Sequence, residues 1–361
     1  MKKLHNQVDR RVLIERMLKS DEARMTLSFY QYAKIKNPQF FRDFLFWNWE
    51  EMGVLGRTYV AHEGINAQIS LPVALFDRFK EHLYSIDFLN GIRLNVAIDD
   101  NGKSFFRLTI KVRTKIVADG LNDATFDVTN KGKHLTAAEF NALTAQPNTV
   151  LIDMRNHYES EVGHFIGAVT PDVDTFREEI DVVTEFLQGN EDKNIVMYCT
   201  GGIRCEKASA WFKHQGYQNV HQLNGGIIEY VRQVREQGLE NKFVGKNFVF
   251  DERRAERISP HVIATCHLCG TACDEHTNCV NVGCNLLFIQ CDGCKAKYTG
   301  CCSTECQSIF ALPDEEQREL RKGKNNSNRI FSKGRMRGSD GARKGIRVLG
   351  DPGLLRFSGE P

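Results

Sequence analysis

The chain has 361 residues, with 48 Lys and Arg against 46 Asp and Glu, and 41% of it is hydrophobic. That suits two or three ordinary globular domains and excludes wholesale disorder, and no run of about 18 apolar residues exists to form a membrane-spanning helix. The near-neutral total hides a basic tail: Arg321–Gly350 holds ten Lys and Arg and a single acid, Asp340.

In chain order, residues 1–25 (MKKLHNQVDRRVLIERMLKS and the next five) form an extension. It lacks the apolar core and small-residue cleavage site of a signal peptide, so a cytoplasmic location is expected. Residues 26–120 read as strand (TLSFYQYA), helix (Pro38–Gly53), two strands around the Gly64 turn, helix (Pro72–Leu83) and two strands (IRLNVAI, FFRLTIKVR). That order predicts a ferredoxin-like, split βαβ domain. Residues 130–238 alternate strands (TVLID, NIVMYC, VHQL) with helices (Asp174–Leu187, one after TGGIR with Ala208, Trp211 and Phe212 inward, and one from NGGI to Gln237). Alternation of this kind predicts an α/β domain with a parallel sheet. Residues 240–312 form a small cysteine-rich module, and residues 313–361 a charged helix passing into a basic tail expected to be disordered. The fold class is therefore multidomain, α/β and α+β.

All 12 cysteines lie at or beyond Cys199, ten of them between Cys266 and Cys306. A secreted disulfide protein would distribute its bridges, whereas clustered cysteines in a reducing compartment point to metal or thiol chemistry. Cys199 ends a buried strand and opens the loop Thr200-Gly201-Gly202-Ile203-Arg204, which leads into a helix. Converging backbone N–H groups, a helix N-terminus and Arg204 all lower a thiol's pKa and make it nucleophilic. The competing reading is a buried, inert cysteine.

TVLIDMRNHYESEVGHFIGAV and NIVMYCTGGIRCEKASAWFKHQGYQNVHQLNGGI together resemble the rhodanese domain. That resemblance implies Cys199 as the active-site cysteine and residues 200–204 as its loop. Four residues separate Cys199 from Arg204. The related phosphatase loop has five, so the shorter loop favours sulfur or a small electrophile over a phosphate ester. Asp153 and Arg155 are expected to brace the site as an ion pair, and His157 and His164 to be hydrogen-bonded structural histidines. Cys205 has two readings: packing, or resolving an oxidised Cys199 as a disulfide.

Cys266-x-x-Cys269 and Cys291-x-x-Cys294 are separated by 21 residues, close to zinc-ribbon spacing, and suit a structural zinc. The alternative is a set of reduced cysteines. Cys273, Cys279, Cys284, Cys301, Cys302 and Cys306 are enough for a second site, without a definite assignment. The basic tail suits contact with a phosphate backbone.

GRTYVAHEGINAQIS, CTGGIRCEKASAW, GKNFVFDERRAERIS and LLFIQCDGC…GCCSTEC occur in one order that looks like the rhodanese-containing tRNA uridine hydroxylase family. The resemblance implies formation of 5-hydroxyuridine at the wobble position of a tRNA anticodon loop, with dioxygen as co-substrate. No flavin-binding glycine pattern and no two-histidine, one-carboxylate iron signature is evident. One mechanism has the Cys199 thiolate add to C6 of uracil while Arg204 and loop N–H groups hold the enolate oxygen. Another has Cys199 carry oxidising equivalents as a sulfenic acid or persulfide. Tyr59, His62 and Asn66 are candidate base contacts, with core or turn roles as the competing reading. Two other functions compete: a sulfurtransferase carrying a Cys199 persulfide, and a non-catalytic RNA-binding scaffold.

Overall fold

A computed structural model describes residues 8–123, 125–323 and 346–348. Helix α1 (Arg10–Lys19) is capped by Asp9, whose carboxylate accepts from the Arg11 N–H. It is followed by β1 (Arg24–Tyr32), α2 (Pro38–Glu51), β2 (Leu55–Ala61), β3 (Gly64–Pro72), α3 (Phe76–Tyr84), β4 (Asn95–Val96) and β5 (Leu108–Val112). The strands form one sheet in the order β4-β1-β3-β2-β5. β3 lies antiparallel between β1 and β2, and β5 adds parallel to β2. This is the split βαβ arrangement that the element order predicts, extended by one strand. Asn37 and Pro38 start α2 as N-cap and first-turn residue, and its buried Leu45, Phe46 and Trp49 cover the sheet. Leu27 and Phe29 on β1 meet them, with the Phe29 and Trp49 rings 6.2 Å apart, edge to face. Two expected elements differ: IRLNVAI shrinks to the two-residue β4, and the helix after Pro72 starts as a 3-10 turn at Val73–Leu75.

The chain continues through β6 (Lys133–Leu135), α4 (Ala137–Thr144), β7 (Thr149–Asp153), α5 (His157–Ser160), β8 (Gly163–Phe165), β9 (Val169–Pro171) and α6 (Phe176–Leu187). Then come β10 (Asn194–Tyr198), α7 (Ile203–His214), β11 (Val220–Leu223), α8 (Gly226–Gln237), β12 (Phe243–Phe248), β13 (Ala255–Arg257), β14 (His276–Asn278), β15 (Leu287–Ile289), α9 (Asp292–Lys297), α10 (Thr304–Phe310), α11 (Asp314–Arg321) and β16 (Ile346–Val348).

These elements fall into two units. The first comprises Met1–Gln146, Val196–Asn241 and Val249–Glu256, and so joins the N-terminal sheet to the end of β10 and to α7, β11 and α8. Within it β6 and β11 pair in parallel. Helix α7 buries Ala208 and Phe212 as its pattern predicts, but Trp211 is only half-buried, its ring beside Phe126 and His214. The second unit comprises Pro147–Ile195, Lys242–Phe248 and Arg257–Pro361. There β7 and β9 pair in parallel, β8 and β12 antiparallel, and β14 and β15 form a hairpin in the cysteine-rich module. Helix α11 lies where the sequence predicts a charged helix, and β16 lies within the tail expected to be disordered. Gln317 on α11 bonds the carbonyls of Phe310 and Leu312, and β16 adds antiparallel to β9. Lys324–Gly345 and residues 349–361, the bulk of the basic tail, lie outside the described residues. No helix among the described residues is long and apolar enough to cross a membrane.

The turn between β2 and β3 needs Gly64. Its φ is +145°, and a Cβ there would sit 2.0 Å from the Gln31 carbonyl oxygen. Gly64→Ala is expected to cost about 2–4 kcal/mol in urea denaturation, combining backbone strain with displacement of β1. A loss below about 0.5 kcal/mol, the range of an ordinary surface change, would show that the turn tolerates a side chain.

Candidate active site

Cys199 follows the last residue of β10 and is 1% exposed. The chain reverses through Thr200, Gly201 and Gly202 before α7 begins at Ile203. Gly202 is left-handed (φ +99°) and donates its N–H to Cys199 Sγ at 3.1 Å. From the other side, α8 offers its first free N–H groups: Ile227 donates to the Cys199 carbonyl at 3.0 Å and Ile228 to that of Thr200 at 3.3 Å. Gly226 makes this approach feasible, since a Cβ there would lie 2.5 Å from the Cys199 oxygen.

Burial pushes the Cys199 thiol up. The Cys205 thiol, which hydrogen-bonds to it, the Arg204 guanidinium, and the N–H groups of Cys205 and Arg204 more than offset this and bring it down to about 6. Arg204 is itself buried, with its guanidinium carbon 5.9 Å from the centre of the Phe250 ring. Cys205 is fully buried and unbridged, and its geometry is that of a hydrogen-bond partner to Cys199.

A nucleophilic thiol is expected to be exposed. Instead, the loop covers it, and the space beside the loop is a cavity of about 270 Å³ touched by Gly201. Tyr30, Tyr32, Arg93, Asn95, Lys131 and Glu206 contribute to its walls. The two tyrosine rings stand 6.2 Å apart. Tyr30 donates its hydroxyl hydrogen to Glu206 (3.2 Å) and Tyr32 to the Ile203 carbonyl (3.2 Å). Glu206 also meets Lys131 at 2.7 Å and His134 at 2.8 Å. Burial raises its pKa, but His134 and Lys131 more than offset this, so it is held below the usual carboxylate range. Two buried polar atoms here have no hydrogen-bond partner among the described residues, Thr200 Oγ1 and Asn95 Oδ1.

Tyr59, His62 and Asn66 do not line this cavity. Arg113 lies over the Tyr59 ring, His62 Nδ1 is 3.0 Å from the Ile35 carbonyl, and Asn66 donates to the Ile116 carbonyl at 3.3 Å. The turn joins the site through another residue. Glu63 takes Lys207 Nζ of α7 at 2.8 Å, and Asp119 takes the same ammonium. Tyr30 and Tyr32 were the residues that sequence reasoning missed. The signal was the period-2 pattern of β1, which puts Leu27 and Phe29 in the core and Ser28, Tyr30 and Tyr32 on the opposite face.

Asp153 and Arg155 lie in the second unit and are fully buried as a two-pronged pair, Nε to Oδ1 at 2.8 Å and Nη2 to Oδ2 at 2.6 Å, with Nη2 also bonding the Gly163 carbonyl. His164 is brought down to about 4 by burial and by Arg155, which suits a neutral structural ring. His157 is tied to Val173 and Asp174. In the cysteine-rich module, Cys266, Cys269, Cys291 and Cys294 converge with all sulfurs within 4.8 Å of one another, and so do Cys279, Cys284, Cys302 and Cys306. Either set could bind a metal such as zinc.

Profiles for three families match the chain: a UPF0176 acylphosphatase-like domain over residues 24–116, a rhodanese-like domain over 136–233 and a rhodanese C-terminal region over 244–307. The chain is 56% identical over 335 residues to the tRNA uridine(34) hydroxylase of Enterobacter sp. (strain 638), covering 92% of this chain and 96% of that protein. It is 53% identical over 334 residues to the protein of the same name from Leptospira interrogans serogroup Icterohaemorrhagiae serovar Lai (strain 56601), covering 92% and 91%.

The chain belongs to the tRNA uridine(34) hydroxylase family. Both alignments span 92% of this chain, on which the acylphosphatase-like and rhodanese-like models match in succession.

Two outcomes are expected. Alkylation of Cys199 by iodoacetamide, mapped by peptide mass, should rise with pH through a midpoint near 6, where an ordinary thiol has its midpoint near 8.5. Arg204→Ala and Cys205→Ala should each raise that midpoint by about one pH unit; an unmoved midpoint in both would show that neither group holds the thiolate. Lys207→Ala should destabilise the chain by about 3–5 kcal/mol in thermal or urea unfolding, because Asp119 and Glu63 lose their buried counter-charge.

Proposed function

We propose that this chain hydroxylates uridine 34 of tRNA to 5-hydroxyuridine, with Cys199 as nucleophile, Arg204 and the loop N–H groups as oxyanion holders, and dioxygen as oxidant. The observation that carries the reading is a cysteine loop that touches, through Gly201, an aromatic- and cation-lined cavity. The family name supports the substrate and the position modified. An anticodon base is already unpaired, so it enters such a cavity at less cost than a base drawn from a duplex. Tyr30 and Tyr32 offer ring faces for stacking, Arg93 and Lys131 offer charge to flanking phosphates, and the Asn95 amide on the same wall suits the polar edge of a uracil.

Because Cys199 is 1% exposed, contact with C6 requires the Thr200–Gly202 segment to move, and two glycines make that inexpensive. The thiolate then adds to C6, and the electron pair of the C5–C6 bond becomes an enolate. Arg204 and the loop amides stabilise its oxygen. Dioxygen takes the C5 electron pair to give, after protonation, a C5 hydroperoxide. Two external thiols reduce this to the alcohol, releasing water and a disulfide. Loss of the C5 proton and expulsion of Cys199 restore the double bond and the thiolate. The proposed division of labour gives residues 26–120 and 130–238 the substrate and chemistry, and residues 240–312 a structural role with zinc on Cys266, Cys269, Cys291 and Cys294. Asp153 and Arg155 are positioning residues in this scheme. A cytoplasmic location is consistent with twelve free cysteines and with a tRNA substrate.

Nucleoside mass spectrometry on tRNA incubated with the protein tests the reading. Wild type with oxygen and a thiol should add one oxygen to uridine 34, and Cys199→Ala or exclusion of oxygen should abolish the product. An added sulfur would instead make the chain a sulfurtransferase, and product from Cys199→Ala would remove the nucleophile. The rate should rise with pH through about 6, since the thiolate is the reacting form. Arg204→Ala should cost roughly 10²–10³ in kcat if it holds the enolate. Truncation after Lys322 removes most of the basic tail, so it should weaken tRNA binding and flatten the fall of affinity with salt. Equal binding across a salt series would count against that contact.

A further inference from the structure

Ten cysteines occupy residues 266–306, and the two convergent sets account for eight of them. Cys273 and Cys301 stand outside both sets and are buried. We propose that Cys279, Cys284, Cys302 and Cys306 bind a second zinc ion, and that the module is a two-metal cross-brace in which each site closes a loop running through the other.

The sulfur geometry suits a tetrahedral ion. Four thiolates at the usual Zn–S distance of about 2.3 Å lie about 3.8 Å apart along each tetrahedron edge. Here Cys284 and Cys302 sulfurs are 3.6 Å apart and those of Cys302 and Cys306 3.7 Å, and no pair of the set exceeds 4.8 Å. A disulfide would bring two of them to about 2.05 Å, and all four are free. The first set shows the same spacing, with 3.6 Å between Cys269 and Cys291.

The surrounding backbone is arranged for anionic sulfur. The Cys302 N–H points at Cys279 Sγ at 3.5 Å, matching the Cys291 N–H on Cys266 Sγ at 3.4 Å in the first set. Phe288, Leu286, Leu268 and Cys301 pack around the second set. Thiolates in such a setting require a cation, and binding converts four thiols and one Zn²⁺ into a tetrathiolate complex and four released protons, with no change of oxidation state.

The chain order supplies the interlocking. Pairs 266/269 and 291/294 serve one ion, and pairs 279/284 and 302/306 the other, so ligand pairs alternate along the chain. The β14–β15 hairpin and the start of α9 carry the crossings. The module's apolar clusters are small, and domains of this size rely on metal or disulfide staples.

The test uses the full chain purified under reducing conditions. Elemental mass spectrometry should find two zinc ions per chain. Native alkylation mapped by peptide should leave Cys279, Cys284, Cys302 and Cys306 unmodified until a chelator is added. One zinc per chain with those four cysteines reacting freely, or a disulfide among them in the metal-loaded chain, would overturn the second site. Cys306→Ser should lose at least one zinc and speed release of the other to a chromogenic chelator at least tenfold; an unchanged rate would overturn the interlocking. Should that variant fail to fold, cobalt titration of the metal-free wild type decides the matter. Thiolate-to-cobalt charge-transfer absorption should grow to two equivalents, and saturation at one would refute the second site.

Discussion

Helix α7 carries Arg204, Glu206 and Lys207 within its first five residues, and all three are buried. Burying a charge is tolerable only with a fitted partner, and every partner displayed here comes from outside the helix. Lys207 meets Glu63 and Asp119, Glu206 meets Tyr30, Lys131 and His134, and Arg204 lies against Phe250 while acting on Cys199. The N-terminal sheet and the turn at residues 62–64 therefore complete the electrostatics of the helix that follows the reactive loop. Two motifs far apart in the sequence of the first unit, HEGIN and CTGGIRCEK, are joined by the Glu63–Lys207 contact.

This explains how a cysteine can be both buried and ionised. Desolvation acts against the thiolate, so the stabilising groups must be close and fixed. Arg204 and Cys205 are adjacent on α7, the Gly202 N–H is 3.1 Å from the sulfur, and α8 pins the loop carbonyls.

Much of this was legible in the sequence because it is local. The strand-helix order gave the split βαβ sheet, the C-T-G-G-I-R run gave the loop and its helix, and two CxxC pairs gave one of the two convergent cysteine sets. What escaped depends on which face of an element meets which neighbour. TLSFYQY reads as a strand with a core face, but its second face, with Tyr30 and Tyr32, has meaning only once α7 is laid against it. Tyr59, His62 and Asn66 were drawn toward RNA because they surround a glycine turn, whereas backbone carbonyls and Arg113 already occupy them. Cys279, Cys284, Cys302 and Cys306 carry no CxxC spacing, so convergence appears only after the β14–β15 hairpin folds them together.

The two kinds of cysteine site also show how one residue type is given different chemistry. Cys199 has the Arg204 guanidinium acting on it, a hydrogen-bonding thiol beside it and a cavity against its loop at Gly201. The eight clustered cysteines each have three other sulfurs within 4.8 Å, and a divalent ion at each centre would engage an electron pair on every one of them. Metal binding there would also protect Cys199 indirectly. Eight uncommitted thiols in the same chain would compete for any disulfide or oxidant reaching the active site, and coordination removes them from exchange.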